Sequence, residues 1–502
     1  SQQMPGVEIK ETTSRRYVDG TLAPHAVGVV GSINAEEYEA ENAQILEQIK
    51  EEHPDWTEEQ INELYQEQKY GYNDIIGKSG LEYAMEDELR GERGKKRITT
   101  DAQGNVLSTE IIKQAVPGNT IVTTLDKDLQ RAALEGSAEF LEMAKKTYSP
   151  EEGGSADRIS VVAQDVKTGE ILAMVNYPTY DLSDYYTKYS ELSSDPLHPL
   201  INYCTQGIYM PGSIYKPVVG IGALASGVID GDTLIDCKQI YQTGTDYNPR
   251  CLGLHGPINI QYALMVSCNY FFYEAGTRQG IDNIVKYSEQ LGLGVESGIE
   301  LSEATGHVSC PEYYESVREG QVGGTWTYGN VLQSSIGQLD NAYTPLQMAN
   351  YVATLANDGT RMRSHLVKSV ESYNLEETIS VTEPEVLNQV EADQEAFDQV
   401  REGMVRCSRD TTRGSARYYF GDYPIDVAAK TGTPQASGGD LDATFIAYAP
   451  AYDPEIAVAV VVENGYSGQR GAPIAKAIFN EYFGLNEETE TQQQNTDGQL
   501  IP

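Results

Sequence analysis

Hydrophobic and polar positions change rhythm along this chain, and the changes mark its elements. In ISVVAQDVKTGEILAMVNYP (159–178) two apolar runs flank a turn at Gly169, which predicts a β-hairpin. IDVAAKTGT (425–433), DATFIAYAP (442–450) and EIAVAVVVENG (455–465) read as three successive strands, and APIAKAIFNEYFG (472–484) as a closing helix. The intervening 200–360 is mostly helical, with LQMANYVATLAND (346–358) the clearest amphipathic stretch. Hairpin, helical insert, three strands, helix: this order predicts one α+β domain whose sheet is built from both ends of the segment.

The first 150 residues are more mixed. RRYVDGTLAPHAVGVVG (15–31) reads as short strands with turns. Residues 33–71 read as two polar helices broken at Pro54, with Asp55 capping the second. TIVTTLDKDLQRAALEGSAEFLEMAKK (120–146) predicts a strand and then a helix. The turn-rich SPEEGGSADR (149–158) sets the expected boundary between a domain at 1–150 and a second at 151–485. A polar, acidic tail at 486–502 is expected to be disordered.

Composition narrows the function. The 502 residues carry 36 Lys and Arg against 75 Asp and Glu, a formal net charge of −39. Phosphate backbones repel such a chain, which argues against a nucleic-acid partner. No apolar run is long enough to span a bilayer, and no signal peptide opens the sequence. The opening SQQMPGVEIKETTSRRY reads like the middle of a domain, as expected of a portion whose membrane anchor lies outside it.

Candidate chemistry centres on MPGSIYKPVVG (210–220), where Ser213 and Lys216 share one helical face behind a Pro-Gly stop. A serine hydroxyl needs a base, and a lysine can serve if burial and a helix N-terminus depress its pKa. Pro217 is tolerated if the helix starts at Ser213, four residues before it. Ser-x-x-Lys alone is a weak pattern, but two further segments join it. MVSCNYFFYE (265–274) places Ser267 and Asn269 at the edge of an apolar helix. VAAKTGTPQ (427–435) places Lys430, Thr431, Gly432 and Thr433 on a strand, where the cation and hydroxyls suit a carboxylate. Gly432 is expected to leave the strand bare for a bound peptide to approach. A second Lys-Thr-Gly, at 167–169, falls in the first hairpin's turn and is read as a turn.

Ser-x-x-Lys, Ser-x-Asn and Lys-Thr-Gly in that order form the signature of penicillin-recognising serine acyltransferases. The chain resembles a class B penicillin-binding protein over nearly its whole length, leaning toward the elongation-type branch. The resemblance implies a transpeptidase domain with a central antiparallel sheet, helices on both faces and a helical subdomain, behind an N-terminal mixed pedestal domain. It implies that Ser213 is acylated by a D-Ala-D-Ala stem peptide or a β-lactam, with Lys216 as base and Ser267 relaying the proton. Asn269 would hold the substrate amide, and Lys430, Thr431 and Thr433 its terminal carboxylate. The oxyanion hole would be the N–H groups of Ser213 and Thr433. The resemblance further implies no cofactor for the chemistry, a membrane glycosyltransferase partner of the SEDS type, and a bacterial cell membrane location. A single N-terminal anchor would leave the catalytic domain on the extracytoplasmic side.

Two rivals share these motifs: a serine β-lactamase and a non-enzymatic β-lactam sensor domain. A lactamase must deacylate with water, usually through a glutamate, and TEPEVLN (382–388) is read instead as a surface connection. The pedestal argues against both rivals.

Cys237, Cys251, His255 and Cys268 bracket the Ser-x-Asn segment with the spacing C-x13-C-x3-H-x12-C. Three thiols and an imidazole suit a structural tetrahedral zinc ion. A Cys237–Cys251 disulfide and isolated buried thiols are the alternatives. Cys204, Cys310 and Cys407 have no such companions.

Overall fold

The computed structural model describes residues 15–435 and 440–486; the tail expected from 486 lies, but for Asn486, outside them. The chain divides into two compact units: residues 1–118 with 180–194, and residues 119–179 with 195–502.

In the first unit, helices Ala35–Glu52 and Glu58–Gln68 form as their polar pattern predicts. Asn34 with Glu37 caps the first in a reciprocal box. The second is capped by Thr57 with Gln60 and not by the expected Asp55. Thr57 lies directly before the first helical residue, where a hydroxyl reaches the free N–H groups. RRYVDGTLAPHAVGVVG yields a helical turn, Pro24–Val27, and one strand, Val30–Ser32, which pairs with Ile75–Gly77. Ile33, Tyr70 and Ile76 form a small core here. The hairpin Lys95–Thr100 and Val106–Lys113 is exposed at every residue.

The second unit is built on a five-stranded antiparallel sheet. Its strands are β1 (Ile159–Asp165), β2 (Ile171–Tyr177), β3 (Ala428–Gly432), β4 (Ala443–Ala449) and β5 (Ile456–Val462). Their spatial order is β3-β4-β5-β1-β2, so the hairpin and the C-terminal meander meet at β5 and β1, as their order in the sequence predicts. Between β1 and β2 the Asp165 carboxylate accepts from the N–H groups of Lys167 and Thr168, so the first Lys-Thr-Gly is a turn.

Both faces of the sheet are covered, which is why its strands read as near-continuous apolar runs. On one face Val161, Val175, Phe445 and Val460 pack against helices α1 (Lys127–Thr147) and α6 (Ala472–Tyr482). Across the other lies α4 (Pro345–Ala356), every residue of which is buried. Thr344 and Gln347 box the start of α4, and Pro345 opens it. The helical insert also contributes α2 (Lys216–Ala225) and α3 (Asn269–Gln279), and α5 (Gln394–Arg409) precedes β3. Among the described residues no helix is long and apolar enough to cross a membrane.

Candidate active site

Three elements deliver the three motifs to one place. A 3-10 turn, Gly212–Tyr215, carries Ser213 and runs directly into α2, whose first residue is Lys216. Pro217 therefore sits in the first helical turn, where its missing N–H costs nothing. Ser267 takes a positive φ of 53° in the bend before α3, Cys268 caps that helix through its sulfur, and Asn269 opens it. Lys430, Thr431 and Gly432 end β3, and Thr433 follows.

Lys216 and Lys430 are both fully buried and converge on Ser267. Lys216 Nζ donates to Ser267 Oγ at 3.0 Å, to the Ser267 carbonyl at 2.8 Å and to Asn269 Oδ1 at 2.6 Å. Lys430 Nζ donates to the same hydroxyl oxygen at 3.0 Å and to the Thr431 carbonyl at 2.9 Å. Both acceptor positions of Ser267 Oγ are thus filled by amines, which leaves its proton free to point elsewhere. Burial, and then the charge of Lys430, pull the Lys216 ammonium down to about 7. Burial also lowers Lys430. Lys216 is therefore an amine that can be neutral near physiological pH, burial making the larger contribution and the neighbouring Lys430 the next.

Gly432 has a different reason from the one its motif suggests. A Cβ there would lie 2.2 Å from Thr444 Oγ1 and 2.6 Å from the Pro211 carbonyl. The bare side of this glycine is filled by the turn that carries Ser213, so it sets how closely nucleophile and strand approach. Thr444 Oγ1 locks that approach by donating to the Pro211 carbonyl at 2.7 Å. Two neighbours had no sequence signal beyond a Gly-Ser pair: Ser415, whose Oγ accepts from Thr431 Oγ1 at 2.8 Å, and buried Cys407, whose sulfur is 3.1 Å from that Oγ.

The Cys/His group assembles immediately behind Ser267. One ligand atom from each of Cys237, Cys251, His255 and Cys268 lies within 4.8 Å of all the others. His255 Nδ1 is 3.5 Å from Cys237 Sγ and 3.6 Å from Cys251 Sγ, and Cys251 and Cys268 sulfurs are 3.6 Å apart. Bond lengths of about 2.3 Å to sulfur and 2.0 Å to nitrogen put tetrahedral donors roughly 3.3–3.8 Å apart, so the set fits a zinc ion. All six cysteines are free thiols, which leaves the Cys237–Cys251 disulfide unmade. Glu385 of TEPEVLN is exposed and paired with Arg363 on a short outlying ladder.

Comparisons with known proteins define the family. The family model described as "Penicillin binding protein transpeptidase domain" matches residues 159–484, and "Penicillin-binding Protein dimerisation domain" matches residues 1–123. Peptidoglycan D,D-transpeptidase MrdA of Acinetobacter baumannii is 29% identical, the match covering 95% of this chain and 67% of that protein. Penicillin-binding protein 2A of Bacillus subtilis is 30% identical, over 99% of this chain and 68% of that protein. Among solved structures, Pseudomonas aeruginosa PBP2 in complex with WCK 5153 superposes with a TM-score of 0.73 at 27% identity, covering 92% of this chain and 89% of that one. A structure describing polymerization and crosslinking by a peptidoglycan synthase complex gives 0.74 at 25% identity, over 93% and 75%. The penicillin G acyl-enzyme complex of penicillin-binding protein A from M. tuberculosis gives 0.60 at 26% identity, over 73% and 81%. The chain belongs to the penicillin-binding protein transpeptidases. Within that family it is a class B, elongation-type, PBP2-like peptidoglycan D,D-transpeptidase.

Proposed function

We propose that this transpeptidase cross-links stem peptides through an acyl-enzyme on Ser213, and that β-lactams are trapped on the same oxygen. The observation that carries the reading is the convergence of the buried Lys216 and Lys430 amines on Ser267 Oγ, with Lys216 opening the helix that directly follows the turn carrying Ser213. Neutral Lys216 takes the Ser213 proton as Oγ attacks the penultimate D-Ala carbonyl. The oxyanion that forms lies against the N–H groups of Ser213 and Thr433. Ser267, accepting from both lysines, passes its proton to the departing D-Ala amine and is reprotonated through Lys216. An amine of a neighbouring stem peptide then attacks the ester, and the same groups run in reverse. Asn269 shares Lys216 with Ser267 and meets the substrate amide; Thr431 and Thr433 meet the terminal carboxylate, with Lys430 supplying the field behind them.

Incubation with a fluorescent penicillin followed by intact-mass and peptide mapping tests this. The expected result is one stable adduct per chain, on the peptide containing Ser213. An adduct on another residue, or rapid turnover of the drug, overturns the reading in favour of another nucleophile or a lactamase.

A structural zinc ion at Cys237, Cys251, His255 and Cys268 is supported by the donor spacing. It would brace the Ser267–Asn269 bend and supply no chemistry, since four protein ligands leave no open position. A membrane glycosyltransferase of the SEDS type is the proposed partner, supported by the likeness to a peptidoglycan synthase complex. The extracytoplasmic side of the bacterial membrane, reached by a single N-terminal anchor, is where the proposed substrate lies.

A further inference from the structure

One partly buried charged cluster takes no part in the chemistry above. Arg158 stands just before β1 and Glu463 just after β5, and the Glu463 N–H donates to the Arg158 carbonyl at 2.9 Å. Arg158 Nη1 donates to both Glu463 carboxylate oxygens, at 2.7 and 2.8 Å, while its guanidinium lies 4.1 Å over the Tyr203 ring. Glu463 Oε1 also accepts from the buried Tyr209 hydroxyl at 2.6 Å. Only 15% and 20% of the Arg158 and Glu463 side chains are exposed. Taking such a pair out of water is costly, and apolar residues of similar volume often stabilise a fold as well. The cluster therefore calls for a role in specifying geometry.

What it connects supplies that role. Tyr209 lies four residues before Ser213, and its backbone is clamped to Tyr343 by two hydrogen bonds of 2.9 Å. On the other side, Glu463 opens a tight turn in which Asn464 and Tyr466 both take positive φ, 55° and 65°. The Asn464 N–H donates to the buried carboxylate of Asp442 at 3.0 Å, and the Tyr466 N–H to the Leu441 carbonyl at 2.7 Å. The turn ends with the Gly468 N–H donating to Thr433 Oγ1 at 3.1 Å. Gly468 presses so closely on the strand that a Cβ there would be 2.3 Å from the Gly432 carbonyl oxygen. One carboxylate thus sits between the chain leading into the nucleophile and the turn beneath the end of the Lys-Thr-Gly segment.

We propose that Glu463 is a positioning residue for acylation: held by Arg158, it fixes the separation of Ser213, through Tyr209, from Thr433, through the 464–468 turn. The inference rests on the roles given to Ser213 and Thr433 above. Its physical basis is that a small misplacement of the oxyanion donors relative to the attacking oxygen is expensive in rate but cheap in ground-state binding.

The test is a double-mutant cycle on β-lactam acylation, resolved into the dissociation constant of the first complex and the first-order acylation rate. Glu463→Gln and Tyr209→Phe are each expected to slow the first-order step about tenfold with little change in the dissociation constant. The double variant should be no slower than the slower single. Arg158→Lys, which keeps the charge but not the planar guanidinium over Tyr203, is expected to show a smaller loss of the same kind. Acylation within twofold of wild type in folded Glu463→Gln and Tyr209→Phe, or losses that simply multiply, overturns the proposal. If Glu463→Gln does not fold, Tyr209→Phe and Arg158→Lys decide it by the same criterion. Mapping the adduct in each sample separates the two readings: an adduct away from Ser213 defeats the assignment of the nucleophile, whereas a Ser213 adduct at wild-type rate defeats only the role of Glu463.

Discussion

Lys216→Arg is expected to reduce β-lactam acylation by roughly three orders of magnitude or more, the scale of a lost general base. A guanidinium cannot give up its proton at any working pH, so the substitution keeps the charge and removes the chemistry. Lys430→Arg is expected to cost far less, on the order of ten- to a hundredfold, mainly from forcing a larger group into a filled site. The two lysines are distinguished further by pH. Burial and the Lys430 charge hold Lys216 near 7, so the wild-type rate should rise about tenfold per unit below that value and level off above it. Lys430→Met removes the neighbouring cation, and the midpoint of that profile should move upward. Lys430→Arg keeps the cation and should leave it in place. Stopped-flow acylation between pH 5.5 and 9 measures all of these. Equal losses from the two arginine substitutions, or a midpoint indifferent to Lys430→Met, would show that the base is another group.

How much of this was legible beforehand depends on range. The hairpin at 159–177 and the strands ending at 432, 449 and 462 were visible because a sheet covered on both faces leaves unbroken apolar runs, and α6 because its apolar positions recur every three to four residues. The motif residues were visible because their chemistry is unusual for their positions. What no local pattern marks is what depends on distant pairing. The short strand Val367–Glu371 joins Thr120–Thr123 across the sequence, and no local pattern marks such a partner. Thr57 displaced Asp55 as a cap because capping depends on where the first helical N–H groups fall, which a run of adjacent polar residues does not settle. The motif suggests substrate access for Gly432, but the contact that requires glycine comes from Pro211 and Thr444, residues far away or across a turn. The Arg158–Glu463–Tyr209 cluster is the clearest case: its members lie at 158, 209 and 463, united by the meeting of β5 with β1 and by the bridge of Tyr209 to Tyr343. Cys237, Cys251, His255 and Cys268 were visible as a set because they lie within 32 consecutive residues.

That set carries the remaining large effect. If zinc fills it, protein purified without chelator should contain about one zinc per chain, and stripping the ion should lower the melting temperature by about 5 °C. That value follows from a ligand present at roughly a thousand times its dissociation constant, which is worth about 4 kcal/mol, divided by the unfolding entropy of a unit this large. Acylation should slow in parallel, because Cys268 stands between Ser267 and Asn269 and its sulfur also caps α3 by accepting from the Phe271 N–H at 3.4 Å. A loosened bend would release Ser267 from the two lysines without altering Ser213. Cys268→Ser keeps a cap but weakens the metal set, so it should reproduce the thermal loss and bind substoichiometric zinc. A disulfide among these sulfurs predicts the reverse sensitivity, with harm from reductant and none from chelator. Elemental analysis, thiol counting and thermal melts on the same preparation distinguish the two. Zinc well below one per chain, together with a melting temperature that chelator does not move, would end the metal assignment and leave four donors packed at ligand distance with no ion to hold.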